Sequence, residues 1–144
     1  MKIIKNQDIN NALKDQKRVY LVGDIKMPNG LEAIKTDGYE IGISDYKEDT
    51  FDAPHVHLSN DEYNYVLEGS FKIFLFKENK EYVFNKGDMY IISKGEEYAA
   101  KAQKGTKVIF SKYPGGNDKK LIENLPESLI KWGASFDVPY IGDK

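Results

Sequence analysis

The sequence predicts an all-β fold, an antiparallel sandwich or barrel with a short helix at each end. Short β-rich runs recur between Val19 and Lys112 with turn-forming residues between them, the rhythm of such folds. Helical periodicity is confined to the two ends, and no sustained alternation of strand and helix suggests a parallel sheet. At 144 residues the chain can bury one core without covalent staples. A single domain is therefore expected, with a helix at about 6–16, a barrel core at about 19–113 and a helical tail at about 117–144.

Taken in order, Asn6 is placed to cap the first helix, and Ile9, Ala12 and Leu13 share one of its faces. Val19-Tyr20-Leu21-Val22 reads as a strand, followed by the turn Met27-Pro28-Asn29-Gly30. Between Tyr39 and Tyr46, Tyr39, Ile41 and Ile43 alternate with polar or small residues. Tyr46 to Ala53 is acidic and irregular. Beyond a histidine-bearing stretch, Tyr63 to Glu68 is a strand, and Gly69-Ser70 reads as a tight hairpin turn into Phe71–Phe76. Further strands are expected at Glu81–Phe84, Met89–Ser93, Tyr98–Ala102 and Thr106–Lys112, with turns at Asn85–Asp88 and Lys94-Gly95. Pro114-Gly115-Gly116-Asn117 ends the β region. Leu125 to Gly133 then reads as a short helix, with Pro126 in its first turn and Gly133 as its stop. Its Leu129 and Trp132 are available to pack on the barrel.

In Phe71–Phe76 both parities are apolar: Phe71, Ile73 and Leu75 on one face, Phe74 and Phe76 on the other. A strand covered on both sides reads this way. A terminal helix or a second subunit could supply the second cover, and a homodimer is the expectation.

Composition excludes several classes. Apolar residues make up 40 %, charged residues 31 %, and the net charge is −2, so no basic patch argues for nucleic acid. Without cysteine there is no disulfide, thiolate metal site or cysteine nucleophile. The N-terminal residues lack the apolar core of a signal peptide, and no apolar run is long enough to span a bilayer. A cytoplasmic protein with no membrane partner is expected.

The chemistry gathers in Pro54-His55-Val56-His57-Leu58-Ser59-Asn60-Asp61-Glu62, which holds the chain's only two histidines. In an extended strand, residues two apart project from one face, so both imidazoles point the same way. Glu62 follows five residues after His57, far enough for the chain to turn and bring its carboxylate back. Two imidazoles and a carboxylate suit a divalent transition metal such as Fe, Mn, Ni, Zn or Co, and the donor set does not choose among them.

The spacing His55-x-His57, four residues, Glu62, six residues, Gly69 resembles the first signature motif of the cupins. A second cupin motif is matched in spacing by Gly87, Ser93, Gly95 and Tyr98, with Ser93 in the place of the family's proline and Tyr98 in that of its histidine. Asp49 stands where the first motif's opening glycine would be. The resemblance spans roughly Tyr39 to Tyr113. It implies a double-stranded β-helix, the jelly-roll cupin barrel, often dimeric, with a metal held inside by His55, His57 and Glu62. Tyr98 is then a phenolate ligand, a hydrogen-bonding acid/base or a cavity wall. Asn64 shares the parity of Glu62, and Asn64, Phe74 and Tyr90 are candidate pocket residues.

Cupin chemistry is diverse, so the fold implies little about the reaction. The first expectation is a metal-dependent enzyme on a small oxygen-rich metabolite, with Glu62 and Tyr98 catalytic, performing isomerase, epimerase, lyase or dioxygenase chemistry. One alternative is a metal-free sugar or sugar-nucleotide isomerase or epimerase using histidine and tyrosine as base and acid. Another is a non-catalytic module that binds a small ligand.

Overall fold

The polar stretch Lys14–Lys17 offers no apolar stripe, so helix α1 (Asn6–Leu13) ends earlier than the sequence suggested in this computed structural model, which describes residues 1–142. Lys5 occupies the N-cap without a side-chain bond, and Asn6 lies inside the helix instead of capping it. Ala12 and Leu13 pack with Val19, Leu21, Leu31 and Ile43, so the helix covers the face of β1 and β2 that points away from the barrel interior. Asn29 then substitutes for a strand partner: its Oδ1 accepts the Tyr20 N–H at 2.7 Å and its Nδ2 donates to the Tyr20 carbonyl at 2.6 Å.

Ten strands among the described residues form two antiparallel sheets. They are β1 (Arg18–Val22), β2 (Glu40–Asp45), β3 (Thr50–His57), β4 (Asp61–Glu68), β5 (Ser70–Leu75), β6 (Lys80–Asn85), β7 (Met89–Ile92), β8 (Glu97–Ala102), β9 (Lys107–Tyr113) and β10 (Lys119–Leu121). One sheet runs β1-β2-β9-β4-β7 and the other β10-β3-β8-β5-β6. The fold is all-β, as expected, with short helices at both ends.

Three local readings need correction. Gly69-Ser70 is not a hairpin turn, because β4 and β5 lie in different sheets. Gly69, at φ +82°, carries the chain from one sheet to the other, and a Cβ there would collide with Thr106. Thr50–Ala53, expected to be irregular, belongs to β3. The β region also continues past Asn117, since Lys119–Leu121 adds a strand to the edge of β3.

The apolar second face of β5 is covered from within the chain. Helix α2 (Glu127–Gly133), capped by Pro126, places Leu129 and Trp132 against Phe74 and Ala99. Phe74 thus faces the helix and not the barrel interior, which corrects its assignment as a pocket residue. With both parities of β5 apolar, the sequence could not tell which face was inside. Trp132 donates its indole N–H to Glu81 at 2.6 Å, satisfying the one polar atom of a fully buried ring.

Between the sheets, β4, β8 and β9 grade from polar to apolar along their inward parity. Glu62, Asn64 and Val66 on β4 register with Lys112, Phe110 and Val108 on β9. Tyr98, Ala100 and Ala102 follow the same course on β8. The apolar ends meet Phe71, Ile73, Tyr90 and Ile92 in one core. The polar ends line a cavity. β2 contributes its polar parity, Glu40, Gly42 and Ser44, to the inside, with Ile41 and Ile43 only partly buried. No helix among the described residues is long and apolar enough to cross a membrane.

Candidate functional site

A bulge makes the site. Strand β3 carries Pro54, which has no N–H to give a ladder, and its pairing with β8 shifts register between Asp52 and His55, as proline inside a sheet requires. Beyond the bulge His55 sits directly across from Tyr98. His55 and His57 are both buried, and both line a cavity of about 440 Å³ that also takes in Glu62 and Tyr98. Three of the four therefore come from one sheet, while Glu62 reaches across from the other.

Hydrogen bonds settle the imidazole tautomers. His55 Nδ1 is 2.7 Å from the Ala53 carbonyl, which only accepts, so Nδ1 carries the proton. His55 Nε2 is then bare and accepts from the Tyr98 hydroxyl at 2.8 Å. Burial lowers the pKa of His55 and pushes that of Tyr98 well above the ordinary phenol value, with the Glu62 carboxylate adding to the rise. The pair is a neutral base facing a protonated acid.

His57 is built differently. Its Nδ1 lies 2.9 Å from Asp118 Oδ1 and its Nε2 3.3 Å from Glu62 Oε2. Burial disfavours the imidazolium, but the bonds to Glu62 and Asp118 outweigh it and raise the pKa of His57. Burial likewise opposes ionisation of Glu62, yet His57 and the nearby charge of Lys112 hold its pKa below the usual value.

Asp118 was not anticipated. Besides His57, its carboxylate accepts the Ser59 and Asn60 N–H groups, the Ser59 hydroxyl and the Asn60 amide. Against the cost of burial, these donors hold its pKa far below the usual carboxylate range. Asp118 follows the Pro-Gly-Gly-Asn turn, in a stretch that carried no motif. Only the β10–β3 pairing brings it to the histidines.

Asn64 and Tyr90 line a small chamber of about 30 Å³ beneath the main cavity, and Tyr90 stacks on Phe84 at 4.4 Å. Arg18, the chain's only arginine, lines both spaces. Its rarity was the available signal.

Two imidazoles with anchored Nδ1 atoms, a carboxylate and a phenol are the right donor types for a transition metal. Their placement does not fit one. Each Nε2 already faces a protein partner, and among the described residues no three His, Asp or Glu side chains cluster closely enough to hold an ion.

The sequence matches, over residues 30–120, the family model described as ethanolamine utilisation protein EutQ. No curated protein matches it. Among solved structures it is similar to KdgF from Halomonas sp., at 23 % identity and a TM-score of 0.51, covering 58 % of this chain and 74 % of that one. It is also similar to Pac13 from Streptomyces, described as a nucleoside dehydratase, at 12 % identity and a TM-score of 0.53, covering 65 % and 75 %. A third is an RmlC-like cupin from Shewanella frigidimarina, at 18 % identity and a TM-score of 0.49, covering 56 % and 70 %. At these identities the likeness is one of fold.

Proposed function

The chain belongs to the family of the ethanolamine utilisation protein EutQ, a cupin-type family, and from that premise we propose that it is an acid–base enzyme acting on a small, oxygen-rich carbonyl metabolite. One observation carries the reading: Tyr98 donates to His55 Nε2 at 2.8 Å, while the Ala53 carbonyl locks the opposite nitrogen of the ring as N–H. A substrate carbonyl entering the cavity takes over the Tyr98 hydroxyl as hydrogen-bond donor, and His55 Nε2 becomes free. It then removes a proton from the carbon beside that carbonyl. The C–H electron pair forms a C=C bond, and the carbonyl oxygen takes its proton from Tyr98. Return of the His55 proton to the neighbouring carbon, with the hydroxyl on the deprotonated carbon giving its proton to Tyr98 as it becomes the new carbonyl, gives an isomer. Protonation of the opposite face by water, with the enol O–H proton going back to Tyr98 and the His55 proton passing to the hydroxide left behind, gives an epimer. Departure of a β-hydroxyl with the His55 proton as water, the enol O–H returning its proton to Tyr98, gives a lyase outcome. The bonds to Glu62 and Asp118 favour the charged form of His57; its ring, 5.0 Å from that of His55, in that form favours the negative charge that develops, while burial keeps His55 neutral.

The test is hydrogen–deuterium exchange at the carbon beside the carbonyl, followed by NMR in D₂O across a panel of small hydroxyaldehydes and hydroxyketones. Exchange that survives a chelator and is lost in Tyr98→Phe and His55→Gln is expected. No exchange with any member, or exchange that disappears with the chelator, overturns it. Elemental analysis completes the test. About one ion per chain, lost in His57→Ala, would replace this reading with a divalent transition metal held by His55, His57, Glu62 and Tyr98.

Homodimerisation is proposed alongside. The outer face of the first sheet exposes Tyr63, Tyr65, Met89 and Ile91, adjacent through the β4–β7 register, and pairing would cover them. Sedimentation at micromolar concentration should give twice the chain mass; a monomer mass refutes the dimer.

A further inference from the structure

We infer that the cavity contains a built seat for an anionic group, formed by Arg18 and Lys112 with the Asn64 amide in the small chamber that Arg18 also lines, so that the substrate is an acid: a carboxylate or a phosphate ester. The inference rests on the acid–base reading for its substrate, but on different residues.

Lys112 is 7 % exposed, lies on the inward parity of β9 and lines the cavity. Its cross-strand neighbours are Glu40 and Glu62, yet among the described residues neither Lys112 nor Arg18 forms an ion pair. Arg18 donates from Nε to Ser44 Oγ at 3.0 Å and rests over the Phe110 ring at 4.8 Å. Tyr20 and the Glu62 charge lie near its guanidinium, but among the described residues no carboxylate bridges it, and the side chain lines the cavity. Asn64, 4 % exposed, has an amide nitrogen with no partner in the chamber it shares with Arg18. Buried donors left unused are costly unless a ligand or ordered water takes them.

Glu62 feels the charges of Lys112 and Arg18, but each carboxylate around the cavity also has another partner. Asp52 is paired with Lys119 at 3.2 Å, Glu62 is held by His57, and Glu40 accepts the Gly116 N–H at 2.8 Å. Arg18 and Lys112 remain, a planar fork and a point charge on one partly desolvated wall. That combination suits an oxyanion accepting two or more charge-assisted hydrogen bonds. Seated there, the anion fixes the carbonyl end of the substrate toward His55 and Tyr98, which line the same cavity.

Calorimetric titration of the full-length protein with gluconate, inorganic phosphate and sorbitol tests the seat. Binding of either anion but not of sorbitol is expected, weakened at least about tenfold in Arg18→Gln and in Lys112→Gln and falling as salt rises. Gluconate alone identifies a carboxylate, and phosphate binding identifies a phosphoryl group. If Arg18→Gln fails to fold, Lys112→Gln carries the comparison. No heat with either anion, equal binding of sorbitol, or wild-type affinity in both variants overturns the proposal. Tyr98→Phe separates the two readings. Retained anion binding with lost deuterium exchange supports both; retained exchange with anion binding lost in the cation variants leaves the seat standing and the acid–base assignment refuted.

Discussion

Strand β8 holds two buried polar side chains three positions apart, Tyr98 facing the cavity and Lys101 facing helix α2. Lys101 is 2 % exposed and donates to the carbonyls of Trp132, Ser135 and Val138 at 2.7, 3.1 and 2.7 Å, with its ammonium 4.2 Å from the Trp132 ring centre. Every N–H of that ammonium is used, and what it holds is the chain just past α2. Tyr98 makes one bond, to a histidine that has no other partner for Nε2. Nearby, the Asn64 amide nitrogen also has no partner, and Arg18 and Lys112 line the cavity without an ion pair among the described residues. Burial alone therefore does not mark a functional group. The fully satisfied residue is a structural clasp, and the residues with capacity in hand surround the space where a ligand fits.

The contrast breaks first at Tyr98. Tyr98→Phe keeps the ring and removes the hydroxyl. It should cut proton exchange about 10²- to 10⁴-fold while costing only about 0.5–1.5 kcal/mol of stability. Loss of activity in proportion to loss of folded protein would put Tyr98 in the same class as Lys101.

Lys101→Met should do the reverse. It leaves the three carbonyls without a donor and costs about 2–4 kcal/mol, an estimate limited by water reaching the loosened tail. Exchange per folded molecule should be unchanged, because α2 lies outside the barrel. Urea unfolding paired with an activity titration reads both quantities. A fall in specific activity would mean that the clasp also shapes the cavity.

The two faces were unequally legible in the sequence. The strand rhythm and the His55-x-His57…Glu62 spacing foretold which residues gather, because period-two alternation and a short bulged strand are local properties. The β3–β8 register then brought Tyr98 to His55. Local signals failed where two structures share one chemistry. Gly69 supplies positive φ whether the chain makes a hairpin or crosses between sheets. Phe74 sits in a strand apolar on both parities, so its side depends on where α2 docks. Asp118 reaches His57, and Arg18 and Lys112 reach the cavity, through pairings distant in sequence. Even so, Lys112 showed an available sign, a charge in the parity of Val108 and Phe110.

The smallest expected effect sharpens the comparison most, since Asp118 stands between the two classes: its carboxylate is saturated with donors, yet one of them is the His57 imidazole. The pKa of Asp118 is depressed from 3.8, so its contribution to stability is present above that value and is lost as pH falls through the lower, folded value. The pKa of His57 is raised from 6.5, so its contribution is complete below 6.5 and is lost as pH rises through the higher, folded value. The stability gap between wild type and Asp118→Asn should therefore be widest between about pH 4 and 6.5, at about 1–3 kcal/mol. It should narrow on both sides, without closing at high pH, because the neutral His57 N–H and the Ser59 and Asn60 donors still prefer a carboxylate. Thermal unfolding carried below and above that range, as well as within it, checks it. A gap independent of pH would mean that His57 is not charged in the folded protein, and Asp118 would then belong wholly with Lys101 as a structural group.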